Sequence, residues 1–410
     1  MNSEEGRGMK RALTFAFIFL AVAVMVFGSI FLFNMDAFVT FFKNRQAMSE
    51  GSEWVEKTYS LKALTEYIEA NPEHVSVASI VISKPDSAIY FESSTPRTLG
   101  TLGNIFIIAG MLNAFENDIL NPDSTFSWVE TDRYLLPGVY ESDHQNSKSE
   151  ALENGWIIDG EITYENALKI LARGNSMPLS DYIRNRFNHR YWTELVRKSG
   201  LENTDTPLPF SGLYLAISPA IQGKSFDGIK SEWNRISDKE WVQLVIDSAD
   251  EFAINDSVRN RYLEILNERR IGLNFTEERD ALSMFPKTTA LDMVKLLKNI
   301  IEKQFISESV SSKILEIMEW ADDQQVISRN FENYGAIYDN RMGLLGGIDF
   351  GTSAYTGDTT VQAVFFDRIP ISFWFHMSSN FMHQDFQQRL IYDPALIETM
   401  NRVSNQEYDE

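Results

Sequence analysis

The chain has 410 residues, with 37 Lys or Arg against 58 Asp or Glu, no Cys, and a formal net charge of −21. A surface that acidic repels phosphate backbones and argues against nucleic-acid binding, while the lack of cysteine excludes disulfides, Cys-ligated zinc, iron–sulfur clusters and thiol catalysis. Five histidines, none spaced as HExxH or HxH, offer little to a transition metal, so no metal or cofactor is expected.

The first element is apolar. From Ala12 to Phe33 no residue carries charge; at 1.5 Å per residue this run covers about 33 Å, enough for a bilayer core of about 30 Å. Arg7, Lys10 and Arg11 precede it and Asp36 follows it, so residues 1–11 are expected in the cytoplasm. Everything after a transmembrane anchor at residues 12–34 is then periplasmic or extracellular. A cleaved signal peptide is the competing reading, because Ala21-Val-Ala23 imitates a small-x-small site, but the apolar run continues well past it. Residues 35–69 read as a juxtamembrane stalk, and no Pro/Gly/Ser-rich linker splits the chain from there to its end.

Beyond the stalk, His74–Ile82 and Ser87–Phe91 read as strands around the turn-forming Lys84-Pro85-Asp86. Thr101–Asn117 is apolar almost all round, which places a helix in the middle of a domain. Amphipathic helical patterns come next at Tyr164–Leu171, Leu179–Phe187, Tyr191–Lys198, Lys239–Phe252, Ser257–Arg269, Ala290–Lys303 and Ser307–Trp320. Strand patterns return at Thr359–Phe366 and Ile369–Met377, before a closing helix around Pro394–Val403. Strands, helices, strands and a last helix predict an α+β domain over residues 70–405, its terminal strands sharing one antiparallel sheet. Asn274-Phe275-Thr276 is a sequon, meaningful only in a glycosylating host.

Order and spacing across this domain carry a resemblance. Pro96-Arg-Thr-Leu-Gly-Thr101-Leu-Gly-Asn104 opens the apolar helix just after a two-strand hairpin. Glu116-Asn-Asp-Ile-Leu-Asn-Pro-Asp123, Asp132-Arg-Tyr-Leu-Leu-Pro-Gly138 and Lys198-Ser-Gly-Leu-Glu-Asn-Thr204 lie further along. The block from Thr288-Thr-Ala-Leu-Asp-Met-Val-Lys-Leu-Leu297 to Trp320 comes next, then Gly347-Ile-Asp-Phe-Gly-Thr352 before a strand. Together these resemble the serine β-lactamase and penicillin-binding-protein superfamily over residues 70–400, with extra helical sequence at about 215–275. The resemblance implies a β-lactamase/transpeptidase-like fold. It also implies a site built from S-x-x-K on the central helix, S-x-N on a facing helix and K-T-G on the edge strand.

At those positions the chain departs from the pattern. Thr101 and Asn104 stand where S-x-x-K would be. S-x-N falls on Asn175-Ser176-Met177 without a gap; with a small shift, Asn175 takes the place of the Asn and Ser176 stays nearby. K-T-G is matched by Asp349-Phe350-Gly351, which would set a carboxylate in place of a Lys. Arg341-Met342-Gly343 is a second register, set aside because the next strand would start too late. No counterpart of the deacylating Glu is recognised. A hydroxyl nucleophile without its base loses 10³-fold or more. The expectation is therefore a membrane-anchored β-lactamase-like protein without catalysis, binding a protein or cell-wall partner of the cell envelope. The alternatives are a hydrolase using Thr101, Ser176 or another hydroxyl, and a structural envelope component outside this family.

Overall fold

The computed structural model describes residues 44–58, 61–320 and 327–406; the expected anchor at 12–34 lies outside them. Among the described residues no helix is long and apolar enough to cross a membrane. The chain divides between Ser49 and Glu50. Of the first unit, the described residues form a 3-10 turn at Ala47–Ser49, where Met48 N–H donates to Asn44 O at 2.9 Å.

The second unit is built on a five-stranded antiparallel sheet of β1 (Val75–Val81), β2 (Ile89–Phe91), β3 (Phe331–Arg341), β4 (Leu344–Ser353) and β5 (Thr359–Asp367). Their spatial order is β2-β1-β5-β4-β3, so the N-terminal hairpin completes a sheet made mainly by the C-terminal part of the chain. This is the α+β arrangement expected. β3 is the edge strand, and Met342–Gly343 turns it directly into β4; Gly343 takes φ +78°, a conformation glycine adopts freely.

Helices cover both faces. On one, α1 (Leu61–Ala70) packs with three C-terminal helices, α12 (Ile371–Ser379), α13 (Met382–Tyr392) and α14 (Pro394–Gln406). On the other lie α2 (Asn104–Glu116), α4 (Tyr164–Arg173), α6 (His189–Lys198), α10 (Ala290–Ile301) and α11 (Glu308–Met318). Between them in the chain come α3 (Glu141–Glu153), α5 (Met177–Arg184), α7 (Phe210–Ile217), α8 (Asp238–Ile254) and α9 (Asp256–Arg269). α2 is the central helix: Ile105, Phe106, Ile108, Ala109 and Met111 are all fully buried among α4, α6, α11 and the inward residues of the sheet. Emptying the Phe106 site alone would cost about 3–5 kcal/mol. A second apolar cluster joins α7 and α8 through Leu213, Tyr214, Val245 and Phe252. Asp181 fixes the start of α7 by accepting from Phe210 N–H and Ser211 N–H, each at 2.7 Å.

Two expectations are corrected, and the sequon takes a structural role. Ile369–Met377 is not a strand: Pro370 precedes α12, and Ile371, Phe373, Trp374 and Met377 form its buried face. Proline cannot donate to a ladder, and it suits the start of a helix. The folded body begins at Glu50 rather than at 70, because Leu64, Tyr67 and Ile68 of α1 are fully buried and the Tyr67 ring packs at a tilt against Phe373, centroids 4.3 Å apart. Asn274 of the sequon caps the helix Phe275–Ala281, accepting from Glu277 N–H at 2.9 Å.

Candidate functional site

Thr101 sits in a 3-10 turn, Gly100–Gly103, that leads into the central helix. Gly100 has φ +51°, and a Cβ there would lie 1.7 Å from Asp339 Oδ2, so the turn tolerates only glycine. That close approach delivers the Asp339 carboxylate to the helix start, where Thr101 N–H donates to Oδ2 at 2.8 Å. Such an N–H is the kind of donor that stabilises an oxyanion; here a carboxylate of the chain itself occupies it.

The Thr101 side chain is equally engaged. Its hydroxyl donates to Asn175 Oδ1 at 2.9 Å, an amide oxygen with no basicity to take the proton. One turn on, Asn104 Oδ1 accepts from Ser180 Oγ at 2.8 Å and Nδ2 donates to Leu171 O at 3.3 Å. Thr101 and Asn104 are each 1% exposed. Asn175 is thus the residue of the 175–177 segment that meets the Thr101 hydroxyl.

Ser176 turns the other way. It caps α5, accepting from Leu179 N–H at 3.3 Å, and its hydroxyl donates to His144 Nδ1 at 2.7 Å. His144 Nε2 donates in turn to Asp132 Oδ1 at 2.9 Å. Burial lowers the His144 pKa more than the Asp132 hydrogen bond raises it, so the ring is neutral near pH 7. The chain Ser176–His144–Asp132 has the bonding order of a hydrolase triad. Its orientation is inverted, since Ser176 and His144 are fully buried while the Asp132 side chain is 38% exposed. Sequence reasoning missed this line, because its residues come from three separate segments with no local spacing to betray them.

The edge strand contributes Asp339 and Arg341, both 1% exposed. Arg341 Nε donates to Asp339 Oδ2 at 3.2 Å and Nη1 to Met177 Sδ at 2.9 Å. The guanidinium stands 4.4 Å from the Phe210 ring centre and 5.3 Å from that of Tyr140. Burial opposes its charge, but Asp339 and the surrounding tyrosines outweigh burial and hold Arg341 protonated. Tyr140 Oη donates to Glu278 Oε1 at 3.1 Å and accepts from Met342 N–H at 2.7 Å. Burial pushes Glu278 up to about 7, against the pull of Tyr140 and Arg341. These side chains fill the cleft. The void beside Gly100, Asn104 and Phe210 is about 10 Å³, as is the one beside Met177 and Tyr214, room for one water at most.

Asp349 and Gly351 are elsewhere. They lie on β4, one strand in from the edge, and face α13: Tyr334 Oη donates to Asp349 Oδ2 at 3.1 Å, and Gly351 packs against Ile391. Their neighbours Ile348 and Phe350 are the residues that point toward the central helix. The expected carboxylate beside Thr101 does exist, but it is Asp339. The reason for setting Arg341-Met342-Gly343 aside also fails, because β4 starts at Leu344, immediately after it. Among the described residues no group of three or more His, Asp or Glu could hold a metal ion.

Residues 235–370 match the model of the β-lactamase enzyme family, about a third of the chain, and this supports the resemblance to the serine β-lactamase and penicillin-binding-protein superfamily. The match begins inside the segment read as extra helical sequence. No curated protein matches. Among solved structures, a β-lactamase from Sphaerobacter thermophilus is similar at 11% identity and TM-score 0.48, covering 84% of this chain and 96% of its own. A β-lactamase from Chitinophaga pinensis is 11% identical at TM-score 0.45, covering 85% and 98%. An acyl-enzyme complex of a mutant PBP-A with penicillin G is 10% identical at TM-score 0.45, covering 85% and 96%.

Proposed function

We propose that this chain is a membrane-anchored, β-lactamase-like protein whose former active site no longer performs catalysis, and that it works in the cell envelope by binding a partner. One observation carries the reading: the Thr101 hydroxyl donates to an amide oxygen while its N–H is held by Asp339. A nucleophile needs a base to take its proton and a free donor for the oxyanion. Thr101 is bonded to neither kind of group. The cleft that would receive a substrate is closed by Arg341, Phe210, Tyr140 and Met177. Residues 12–33 would supply the anchor and place Glu50–Glu410 outside the cytoplasm.

A second reading has one observation in its favour, the 2.7 Å bond from Ser176 to a neutral His144. Under it the chain is a hydrolase that opens to expose Ser176. A fluorophosphonate probe on the full-length protein separates the two. The proposal expects no labelling; labelling lost in both Ser176→Ala and His144→Ala would establish the hydrolase.

A further inference from the structure

At the far end of α2 from Thr101 the surface carries an open groove of about 410 Å³, walled by α2, α4 and α11. Its floor is apolar: Leu112 and Val310 are almost fully buried beneath it, and Phe115 and Pro122 line it. Its rim is acidic. Glu116, Glu165 and Glu316 stand around it with, among the described residues, a single cation, Lys313. Lys313 Nζ is bonded to Glu165 at 2.8 Å and to Glu316 at 2.9 Å, so its charge is already answered within the rim. Three carboxylates against one ammonium leave a net −2 around an apolar trough.

We infer that this groove binds a basic, amphipathic segment of a partner protein. The chemistry decides among occupants. An anion meets repulsion from the rim and from a chain of net −21. A purely apolar group would strip water from carboxylates without replacing their hydrogen bonds, which is unfavourable. A segment with one or two bulky apolar side chains between Lys or Arg residues satisfies both parts: the apolar groups cover Leu112, Phe115 and Val310, and the cations reach Glu116, Glu165 and Glu316. The volume is in the range of a site for a few side chains. The inference stands whether or not the Thr101 cleft is active, because the two sites share no residue.

The test uses the full-length protein in phosphatidylcholine nanodiscs, with empty nanodiscs as reference. The probe is a labelled heptapeptide, Lys-Leu-Phe-Lys-Leu-Lys-Arg, and its counterpart carries Glu at every basic position. Fluorescence anisotropy should detect binding of the basic peptide alone, weakened at 0.5 M salt. Ser309→Trp, which fills the groove at an exposed position, and Glu316→Lys should each reduce affinity at least tenfold. Glu264→Lys, the same charge change on α9, should leave it within twofold. Absence of binding, equal binding of the acidic peptide, no effect of Ser309→Trp, or an equal loss in Glu264→Lys would each overturn the inference.

Discussion

The sheet separates two buried polar regions that handle charge differently. On the side of the central helix, Asp339 and Arg341 are kept as an ion pair at 3.2 Å, stacked on Phe210 and tied to Thr101 N–H. On the side of α13, Asp349 and His383 have no counter-ion among the described residues, and burial pushes the carboxyl up to about 8 and the imidazole down to about 3. Burial keeps the carboxyl neutral against the opposing pull of Tyr334 and Gln387. Both nitrogens of His383 are without a hydrogen-bond partner among the described residues. The first region secures its geometry through charge and should fail when one partner is lost. The second has exchanged charge for protonation, so its stability should follow pH.

The largest expected effect tests the first region. Arg341→Ala leaves the Asp339 carboxylate buried beside Thr101 and should cost about 3–5 kcal/mol in urea unfolding. Replacing the pair together, Asp339→Leu with Arg341→Met, should recover most of that loss. Asp349→Asn on the other face should cost less than Arg341→Ala at pH 7, because the group it replaces is mostly uncharged there. Equal costs for the two single substitutions would erase the distinction.

The next effect is pH dependence. Between about 4 and 8 the folded protein keeps a proton on Asp349 that the unfolded chain releases, so stability falls as pH rises through that window. Asp181, pushed up to about 6, and Glu278, up to about 7, act in the same sense, in each case through burial. His383 acts in the opposite sense. From about 6.5 down to about 3 the unfolded chain binds a proton that the buried ring refuses, so stability falls as pH falls. Each proton difference is worth about 1.4 kcal/mol per pH unit. Urea midpoints from pH 3 to 9 should lose part of their alkaline slope in Asp349→Asn and part of their acid slope in His383→Phe. Curves parallel to the parent would contradict the assignment.

The smallest effect concerns the loop that carries Asn175. Ser176→Ala removes the cap of α5 and the bond to His144, and should cost about 0.5–2 kcal/mol. Hydrogen exchange should rise at Leu179 N–H, which donates to Ser176, while Thr101 N–H stays protected by Asp339. Loss of protection at both would mean that the loop, rather than the edge strand, holds the helix start.

Much of this architecture is legible in the chain, and the limits have physical causes. The central helix announces itself because Ile105 to Leu112 leave it no polar face, and the block from Thr288 to Met318 because its helices keep a regular apolar period. The edge hairpin is silent. Gly335, Gly343, Gly346 and Gly347 dilute the strand pattern, and the polar Asp339 and Arg341 point into the protein, where alternation expects apolar residues. With the edge strand unread, the K-T-G match falls on Asp349, one strand in from the edge. Helix α12 reads as a strand because aromatic and β-branched residues cluster in Ile371–Phe375, and they mask the helix start that Pro370 signals. Thr101, Asn104 and Asn175 can be found by position. Their partners Asp339, Ser180 and Leu171 O come from distant segments that only folding brings together.

The most direct test of the closed, base-free site is intact-mass spectrometry of the full-length protein after prolonged incubation with benzylpenicillin. We expect the mass to stay that of the unmodified chain, with no penicilloic acid released. An adduct of one penicillin per chain, mapped to Thr101 and absent in Thr101→Val, would contradict this account of the cleft.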